Sequence, residues 1–131
     1  MKKILFAMMA CVAMFVFSSC EKTESHIFDL TYDDASGDQA EKTAYELNYK
    51  DIFIQELSKV ATPVTEAQTT FKIDNTKKKK AINKAKAAFE DAAAKAQAKA
   101  GNNSIMKGFK VQLMHSVAGG AKDECASYTF K

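Results

Sequence analysis

The sequence is poor in several residue types that define large protein classes. It has no arginine, one proline, three cysteines and two histidines among 131 residues. Together with 47% hydrophobic residues, this balance excludes a collagen-like fibre, a disordered tail and a disulfide-dense scaffold. The formal net charge of +3 is too small to indicate a nucleic-acid-binding protein. The length is that of one domain.

The first twenty residues form a pattern of their own. Met1, Lys2 and Lys3 give a short positive start, which is followed by an apolar run from Ile4 to Phe17. This run is too short to cross the core of a bilayer, which needs about 20 residues in a helix. The order of a positive start and a short apolar run is typical of an export signal.

The apolar run ends in Phe17-Ser18-Ser19-Cys20, which resembles the lipobox of bacterial lipoproteins, with Phe17 where the usual pattern has Leu. The resemblance implies that residues 1–19 are removed and that Cys20 becomes the first mature residue, with a diacylglyceryl group and an N-acyl chain. Several chains are needed because one chain binds a membrane only marginally. The resemblance therefore implies an envelope protein anchored at the outer membrane, with residues 20–25 as a tether and residues 26–131 as one domain.

The first half of that domain predicts a strand and a long helix. Residues 26–32 alternate between apolar and polar, which is typical of a half-buried strand. After an acidic turn, Asp38 and Glu41 fit a capping box for a helix over residues 39–61, which ends before Thr62-Pro63 because the residue before a proline disfavours the helical conformation. Its apolar residues form two stripes, so we expect it to be buried on two sides or to change direction. The stripes are Ala44, Leu47, Ile54 and Leu57, and Tyr45, Tyr49, Ile52, Phe53 and Val60.

The middle of the chain predicts a second strand and a second helix. Residues 69–73 alternate and predict a short strand. Asp74-Asn75-Thr76 then offers N-caps for a helix that runs to about Ala100 and ends at Gly101. The buried stripe of this helix is Ile82, Ala85, Phe89, Ala92, Ala93 and Ala96.

The C-terminal third predicts a β-hairpin around a two-residue Gly119-Gly120 turn. The apolar faces of its strands must coincide, which pairs Val111 with Tyr128 and Phe109 with Phe130. With the earlier elements, this predicts an α+β fold. We expect a two-layer sandwich in which a mostly antiparallel sheet of three to four strands carries two helices on one face.

Few residues are candidates for catalysis or metal binding. Cys125 and His115 would supply a thiolate and its base, which must lie within hydrogen-bond reach. The predicted register places His115 on the face of Val111 and Cys125 on the opposite face, so we expect no such pair. His26 and His115 are far apart along the chain and no paired cysteines accompany them. We therefore predict no metal site, no cofactor and no enzymatic activity.

An alternative function is a small envelope hydrolase, or an inhibitor of one, that uses an acidic site. Its carboxylates would come from Asp29, Asp33, Asp34 and Asp38 around the first turn. The alternative requires these side chains to converge in a cleft, where they could move protons.

The charges beyond the export signal are segregated along the chain. Residues 21–56 carry ten acids and three lysines, whereas residues 76–100 carry eight lysines and two acids. The run Lys77-Lys78-Lys79-Lys80 begins the second helix, where the helix dipole disfavours each cation by about 0.3–1 kcal/mol. Three explanations stay open: a solvated face, complementarity with the acidic first helix, or an anionic ligand such as a lipid headgroup, lipopolysaccharide or polysaccharide.

These features predict a small membrane-anchored envelope lipoprotein with a non-enzymatic binding or interaction domain. Its partners would be the membrane, through a lipid on Cys20, and an envelope protein or anionic polymer. Nucleic acid is disfavoured because the chain has no arginine and the lysine run contains no aromatic residue. The oligomeric state stays open.

Overall fold

The computed structural model describes residues 23–33, 39–64, 69–101, 105–117 and 120–131. The strands are β1 (Thr23–Tyr32), β2 (Thr62–Pro63), β3 (Thr70–Lys77), β4 (Lys110–Val117) and β5 (Asp123–Thr129). The helices are α1 (Gln39–Ala44), α2 (Lys50–Ser58) and α3 (Lys78–Ala100), and a π-helical turn (Tyr45–Tyr49) joins α1 to α2. Of the residues singled out in the sequence, Cys20, Asp34, Asp38 and Gly119 lie outside the described ranges.

The strands form an open antiparallel sheet in the order β2-β3-β1-β4-β5. The first strand in the chain is therefore the central one. The α+β class, the antiparallel sheet and the C-terminal hairpin are confirmed. The prediction of three to four strands is too low, because β2 has only two residues and shows no alternation.

The two faces of the sheet differ in polarity. On β1, His26, Phe28 and Leu30 are buried under the helices. Asp29 lies on the opposite face, where Thr70 donates a 2.7 Å hydrogen bond to its carboxylate. This alternation explains why helices cover one face only.

The long helix α3 lies across the sheet and contacts β1, β3, β4 and β5. Its buried face consists mostly of alanine, which allows the backbone to approach the sheet closely. This face is Ala81, Ala85, Ala88, Phe89, Ala92, Ala93 and Ala96. Phe89 packs against Phe53 of α2 with ring centroids 5.2 Å apart. The predicted helix end is confirmed, since Gly101 has a φ of 71°.

The first helix is interrupted midway by the π-helical turn, whereas its two apolar stripes predicted burial on two sides or a change of direction. The π-helical turn holds more residues per turn than an α-helix, so it rotates the later apolar positions relative to the earlier ones. Tyr45, Phe53 and Leu57 are buried as a result, whereas Leu47 is 75% exposed. The predicted burial of Leu47 is therefore wrong. The α-helix also ends at Ser58, before the predicted boundary.

Two other predicted boundaries are wrong. Residues 74–76 belong to β3 and do not cap α3, because this strand continues alongside β1 and places Thr76 opposite Glu24. The N-cap of α3 is Lys77, whose side chain makes no capping hydrogen bond. In turn, β1 begins at Thr23, so residues 23–25, which were assigned to the tether, are part of the sheet.

The β4–β5 hairpin keeps the predicted register along only part of its length. Val111 lies opposite Tyr128, and the Phe130 N–H donates to the Phe109 carbonyl at 2.9 Å, as predicted. Toward the turn the register shifts by one residue and leaves Cys125 as a β-bulge. The predicted pairing assumed an unbroken register and is therefore wrong beyond Leu113. The predicted turn includes Gly119, which lies outside the described residues.

Candidate functional site

Two histidines meet in the interior near one end of the sheet. His26 on β1 is fully buried, and His115 on β4 is 5% exposed. Because Phe28 lies opposite His115 in the ladder, the two histidines are diagonal neighbours on the helix-covered face. His26 Nδ1 lies 2.9 Å from His115 Nε2, and the rings stack with centroids 5.2 Å apart.

The surroundings of His26 determine which ring nitrogens carry protons. His26 Nε2 lies 2.8 Å from the carbonyl oxygen of Thr76, which can only accept a hydrogen bond. In the neutral ring, Nε2 of His26 therefore donates to Thr76, and Nδ1 accepts. His115 Nε2 must then be the donor to His26, which leaves His115 Nδ1 unprotonated. The result is a directed chain of hydrogen bonds from β4 through β1 to the backbone of β3.

Burial also affects the protonation of this pair. It lowers the pKa of His115, and the electrostatic effects of His26 and Lys78 lower it further. Asp123 and Glu24 act in the opposite direction, but the net effect is a pKa below the usual value of 6.5. His115 is therefore neutral at pH 7.

Irregularities of the sheet lie on both sides of the histidine pair. The β1–β3 register shifts between Glu24 and His26, and Asn75 on β3 has a φ of 51°. Ser25 at this shift donates a 2.6 Å hydrogen bond to Asp74 Oδ1. The β4–β5 bulge at Cys125 lies on the other side. Bulges commonly redirect side chains near functional sites.

Sequence reasoning missed the histidine pair. It treated His26 and His115, which are 89 positions apart, as unable to act together. A signal was present in the strand alternation, because His26 shares the buried parity of Phe28, and His115 shares that of Val111. The pairing of β1 with β4 could not be predicted in this way, because alternation within a strand does not show which strand lies beside it.

Cys125 does not form a nucleophilic site with His115. The bulge brings Cys125 into contact with the core, so its predicted place on the opposite face is wrong. Burial raises the pKa of its thiol to about 11, although Lys86 acts in the opposite direction. Cys125 is therefore a thiol at neutral pH, and His115 is hydrogen-bonded to His26 instead.

The acidic residues that the structure describes around the first turn lie apart. Asp29 accepts the hydrogen bond from Thr70 and forms a 2.9 Å ion pair with Lys122. Asp33 follows the other end of β1, where its N–H donates to the Lys110 carbonyl at 3.1 Å. Four residues of strand separate these two aspartates by about 13 Å. Asp34 and Asp38 lie outside the described residues.

The lysine run, Lys77 to Lys80, lies beside the N-terminal end of β1. Thr23 is opposite Lys77 in the β1–β3 ladder, and the other three lysines begin α3. All four lysines are exposed. The run therefore adjoins the start of the described chain, three residues after Cys20. The histidine pair lies next to it, since His26 binds the carbonyl of Thr76, the residue before Lys77.

The acidic first helix contacts the opposite part of α3. Glu56 is largely buried and accepts hydrogen bonds from Lys95 at 2.7 Å and from Lys59 at 3.0 Å. Lys99 donates to the carbonyl of Asn48 at 2.8 Å. Lys95 lies roughly 22 Å along the helix from the end of the lysine run. Complementarity with the first helix therefore accounts for the lysines in the last turns of α3.

A shallow apolar groove of about 640 Å³ lies between α3 and the outer edge of β5. Phe89, Ala93 and Tyr128 contribute to its lining. Gln97 also contributes to the lining, and its side-chain amide pairs with both the N–H and the carbonyl of Lys131. The groove contains none of the lysines of the run.

Three further findings concern metal binding, membrane spanning and similarity to known proteins. Within the described ranges, no group of three histidine, cysteine, aspartate or glutamate side chains is placed to hold a metal ion. No helix in that part of the chain has the length and apolarity that crossing a membrane requires. No protein-family model, curated protein or solved structure matches the chain.

Proposed function

We propose that this protein is a lipid-anchored envelope protein with a non-enzymatic binding domain. We further propose that the lysine run docks this domain on the anionic headgroups of the membrane that holds the lipid. The observation that carries the proposal is the pairing of Thr23 with Lys77. This pairing places the run beside the end of the chain that leads to Cys20, the residue of the lipobox-like motif.

The short connection keeps the run close to the membrane. Thr23 follows Cys20 by three residues, and an extended chain spans at most about 3.6 Å per residue, or about 11 Å in total. Charges at a membrane surface act over about 8 Å at physiological ionic strength. Anchoring at Cys20 therefore brings the exposed ammonium groups of the run within or near the range of the headgroups.

The lipid on Cys20 and the lysine run would both contribute to the free energy of membrane binding. Each lysine near an anionic membrane surface contributes about 1 kcal/mol, so four contribute up to about 4 kcal/mol at low salt. This gain exceeds the cost of about 0.3–1 kcal/mol that the helix dipole imposes on each lysine. A lipid together with a basic patch is sufficient for stable attachment to a membrane.

The contacts of the candidate catalytic groups support a binding role. His115 donates to His26 inside the protein, and Cys125 is a partly buried thiol. Asp29 is held in an ion pair by Lys122. These groups contribute to the packing and hydrogen bonding of the sheet. Such a structural role is consistent with an interaction domain.

The anchor is tested by substituting Cys20. We expect the unaltered protein to incorporate labelled palmitate and to sediment with membranes after a high-salt wash, and Cys20→Ala to lose both properties. Cys125→Ala is the matched control and should keep both. If Cys20→Ala still sediments with membranes after a high-salt wash, the lipid anchor is refuted.

The docking of the run is tested separately with vesicles. We expect the Cys20→Ala protein to bind phosphatidylglycerol vesicles in a salt-sensitive manner, and substitution of Lys77 to Lys80 by Gln to weaken this binding at least tenfold. The control replaces Lys84, Lys86, Lys107 and Lys131 by Gln, which changes the net charge equally. Equal losses in the two quadruple variants would show that net charge, not the run, directs binding.

A further inference from the structure

We propose that the His26–His115 pair couples proton uptake to the docking of the lysine run. Acid then strengthens the binding of the domain to anionic headgroups, and anionic headgroups promote protonation of His115. This proposal rests on the proposed membrane docking of the run.

A continuous set of contacts connects the imidazoles to the run. His26 Nε2 donates to the carbonyl of Thr76, and Thr76 is followed directly by Lys77, the N-cap of α3, and Lys78, its first residue. The preceding residue, Asn75, has a φ of 51°, which is uncommon for a residue other than glycine. The ring of His26 therefore anchors the backbone from which the run begins.

The hydrogen-bond chain determines where an added proton goes. His26 uses both of its nitrogens, one as donor to Thr76 and one as acceptor from His115. His115 Nδ1 is therefore the nitrogen that can take up a proton without breaking the chain. A second proton would have to occupy His26 Nδ1, where two N–H groups would then face each other at 2.9 Å. The pair thus accepts one positive charge and excludes two.

Titratable groups act on His115 from the elements around it. They are His26 and Glu24 on β1, Asp123 on β5 and Lys78 on α3. The contact that β3 makes with the pair is the uncharged carbonyl of Thr76. The lysine of the run opposes protonation of His115, whereas the two carboxylates favour it.

The opposition between Lys78 and His115 makes the coupling reciprocal. When anionic headgroups neutralise the field of the run, adding a proton to His115 costs less. By thermodynamic linkage, protonation must then increase the affinity of the run for the headgroups by the same factor. Because the lysines are exposed to water, we expect a modest factor of about threefold, equivalent to a rise of about 0.5 in the pKa of His115.

The experiment uses the fact that the chain has two histidines, so the imidazole signals are few. The lipidated protein, labelled with ¹³C-histidine, is placed in nanodiscs of phosphatidylcholine alone or with phosphatidylglycerol. The ring signals are followed by NMR from pH 7.5 to pH 4.5. We expect phosphatidylglycerol to raise the titration midpoint of His115 by about half a pH unit.

Two variants separate the coupling from general surface effects. Replacement of all four lysines of the run by Gln should abolish the shift, because the anionic surface then no longer docks beside His115. In vesicle binding, His115→Gln should remove the threefold gain in affinity on acidification. It should leave the affinity at pH 7.5 unchanged, because His115 is neutral at that pH and the variant keeps every carboxylate of the protein.

The outcomes distinguish this proposal from the docking on which it rests. If salt-sensitive docking through the run is intact but the His115 midpoint is equal in both bilayers, the coupling is refuted and the docking stands. A shift that survives in the quadruple lysine variant would also refute the coupling, because the surface potential alone would explain it. If the run does not dock at all, both proposals fail.

Discussion

Glu56 of α2 and Lys95 of α3 form a 2.7 Å ion pair that joins the two helices. Lys59 approaches the same carboxylate at 3.0 Å, and the Glu56 side chain is only 9% exposed. One buried carboxylate is thus shared by two lysines that reach solvent. The pair explains part of the charge segregation along the chain, because the acidic helix lies against the basic one.

Replacing Glu56 by Gln should destabilise the domain. The hydrogen bond from Lys95, followed by that from Lys59, lowers the pKa of this carboxyl below its usual value of 4.5. Its stabilising effect is therefore complete above about pH 4.5 and is lost as the pH falls through the folded-state pKa. We expect Glu56→Gln to lower Tm by several degrees at pH 7. The further decrease of Tm on acidification should be smaller in this variant than in the unaltered protein. Thermal unfolding followed by circular dichroism measures both effects.

The control for this substitution is an exposed ion pair of the first helix. Glu46 contacts Lys50 at 3.0 Å, but its side chain is 44% exposed. Exposed pairs contribute little, so Glu46→Gln should leave Tm nearly unchanged. Equal losses in the two variants would contradict the special role of Glu56.

Removing the hydroxyl of Tyr45 should preserve or increase stability. Tyr45 is 2% exposed, and its hydroxyl oxygen has no hydrogen-bond partner among the described residues. A buried unsatisfied polar group costs about 1–3 kcal/mol, so we expect Tyr45→Phe to change the free energy of unfolding by between 0 and about +1 kcal/mol. In contrast, the Tyr128 hydroxyl donates to Gln97 at 2.5 Å, and Tyr128→Phe should cost about 1 kcal/mol. Urea unfolding compares the two, and a larger loss for Tyr45→Phe would contradict the prediction.

Acid should destabilise the domain through His115. Because burial lowers the folded-state pKa of His115 below 6.5, the unfolded chain binds the proton first as the pH falls. The free energy of unfolding should therefore be constant above pH 7 and decrease between pH 6.5 and the lower folded-state pKa. Urea unfolding from pH 7.5 to pH 5 measures this decrease, and His115→Gln should reduce its slope. An unchanged slope would show that His115 titrates normally in the folded protein.

The thiol of Cys125 should react slowly in the folded protein. Burial raises its pKa from 9.0 to about 11, so its thiolate fraction at pH 7.4 falls by about a hundredfold. We expect iodoacetamide to modify Cys125 about a hundredfold more slowly in buffer than in 8 M urea. Mass spectrometry of the peptide that contains Cys125 gives both rates. Similar rates would mean that Cys125 is a reactive thiol.

Local patterns predicted the elements well, and their boundaries less well. The alternation of β1 and β4 and the alanine stripe of α3 required no knowledge of neighbouring elements. The capping prediction at residues 74–76 failed because the residues that favour a helix N-cap can also continue a strand. The start of β1 at Thr23 made the strand the better choice, since it provides hydrogen-bond partners for those residues.

The candidate site depended on contacts that no local pattern contains. The lysine run and the lipobox-like motif were visible separately, but only the Thr23–Lys77 pairing brings the run to the end of the chain that holds Cys20. The histidine pair likewise exists only because β4 lies beside β1.

The sequence alone determined the scarcity of arginine, proline and cysteine, the pattern that resembles an export signal, and the order of the strands and helices other than β2. Each of these depends on composition or on neighbours along the chain. The tertiary structure alone decided the strand order, the π-helical turn, the bulge at Cys125 and the meeting of His26 with His115. These features arise when distant segments compete to bury apolar surface and to satisfy backbone hydrogen bonds, and that competition is settled across the whole domain.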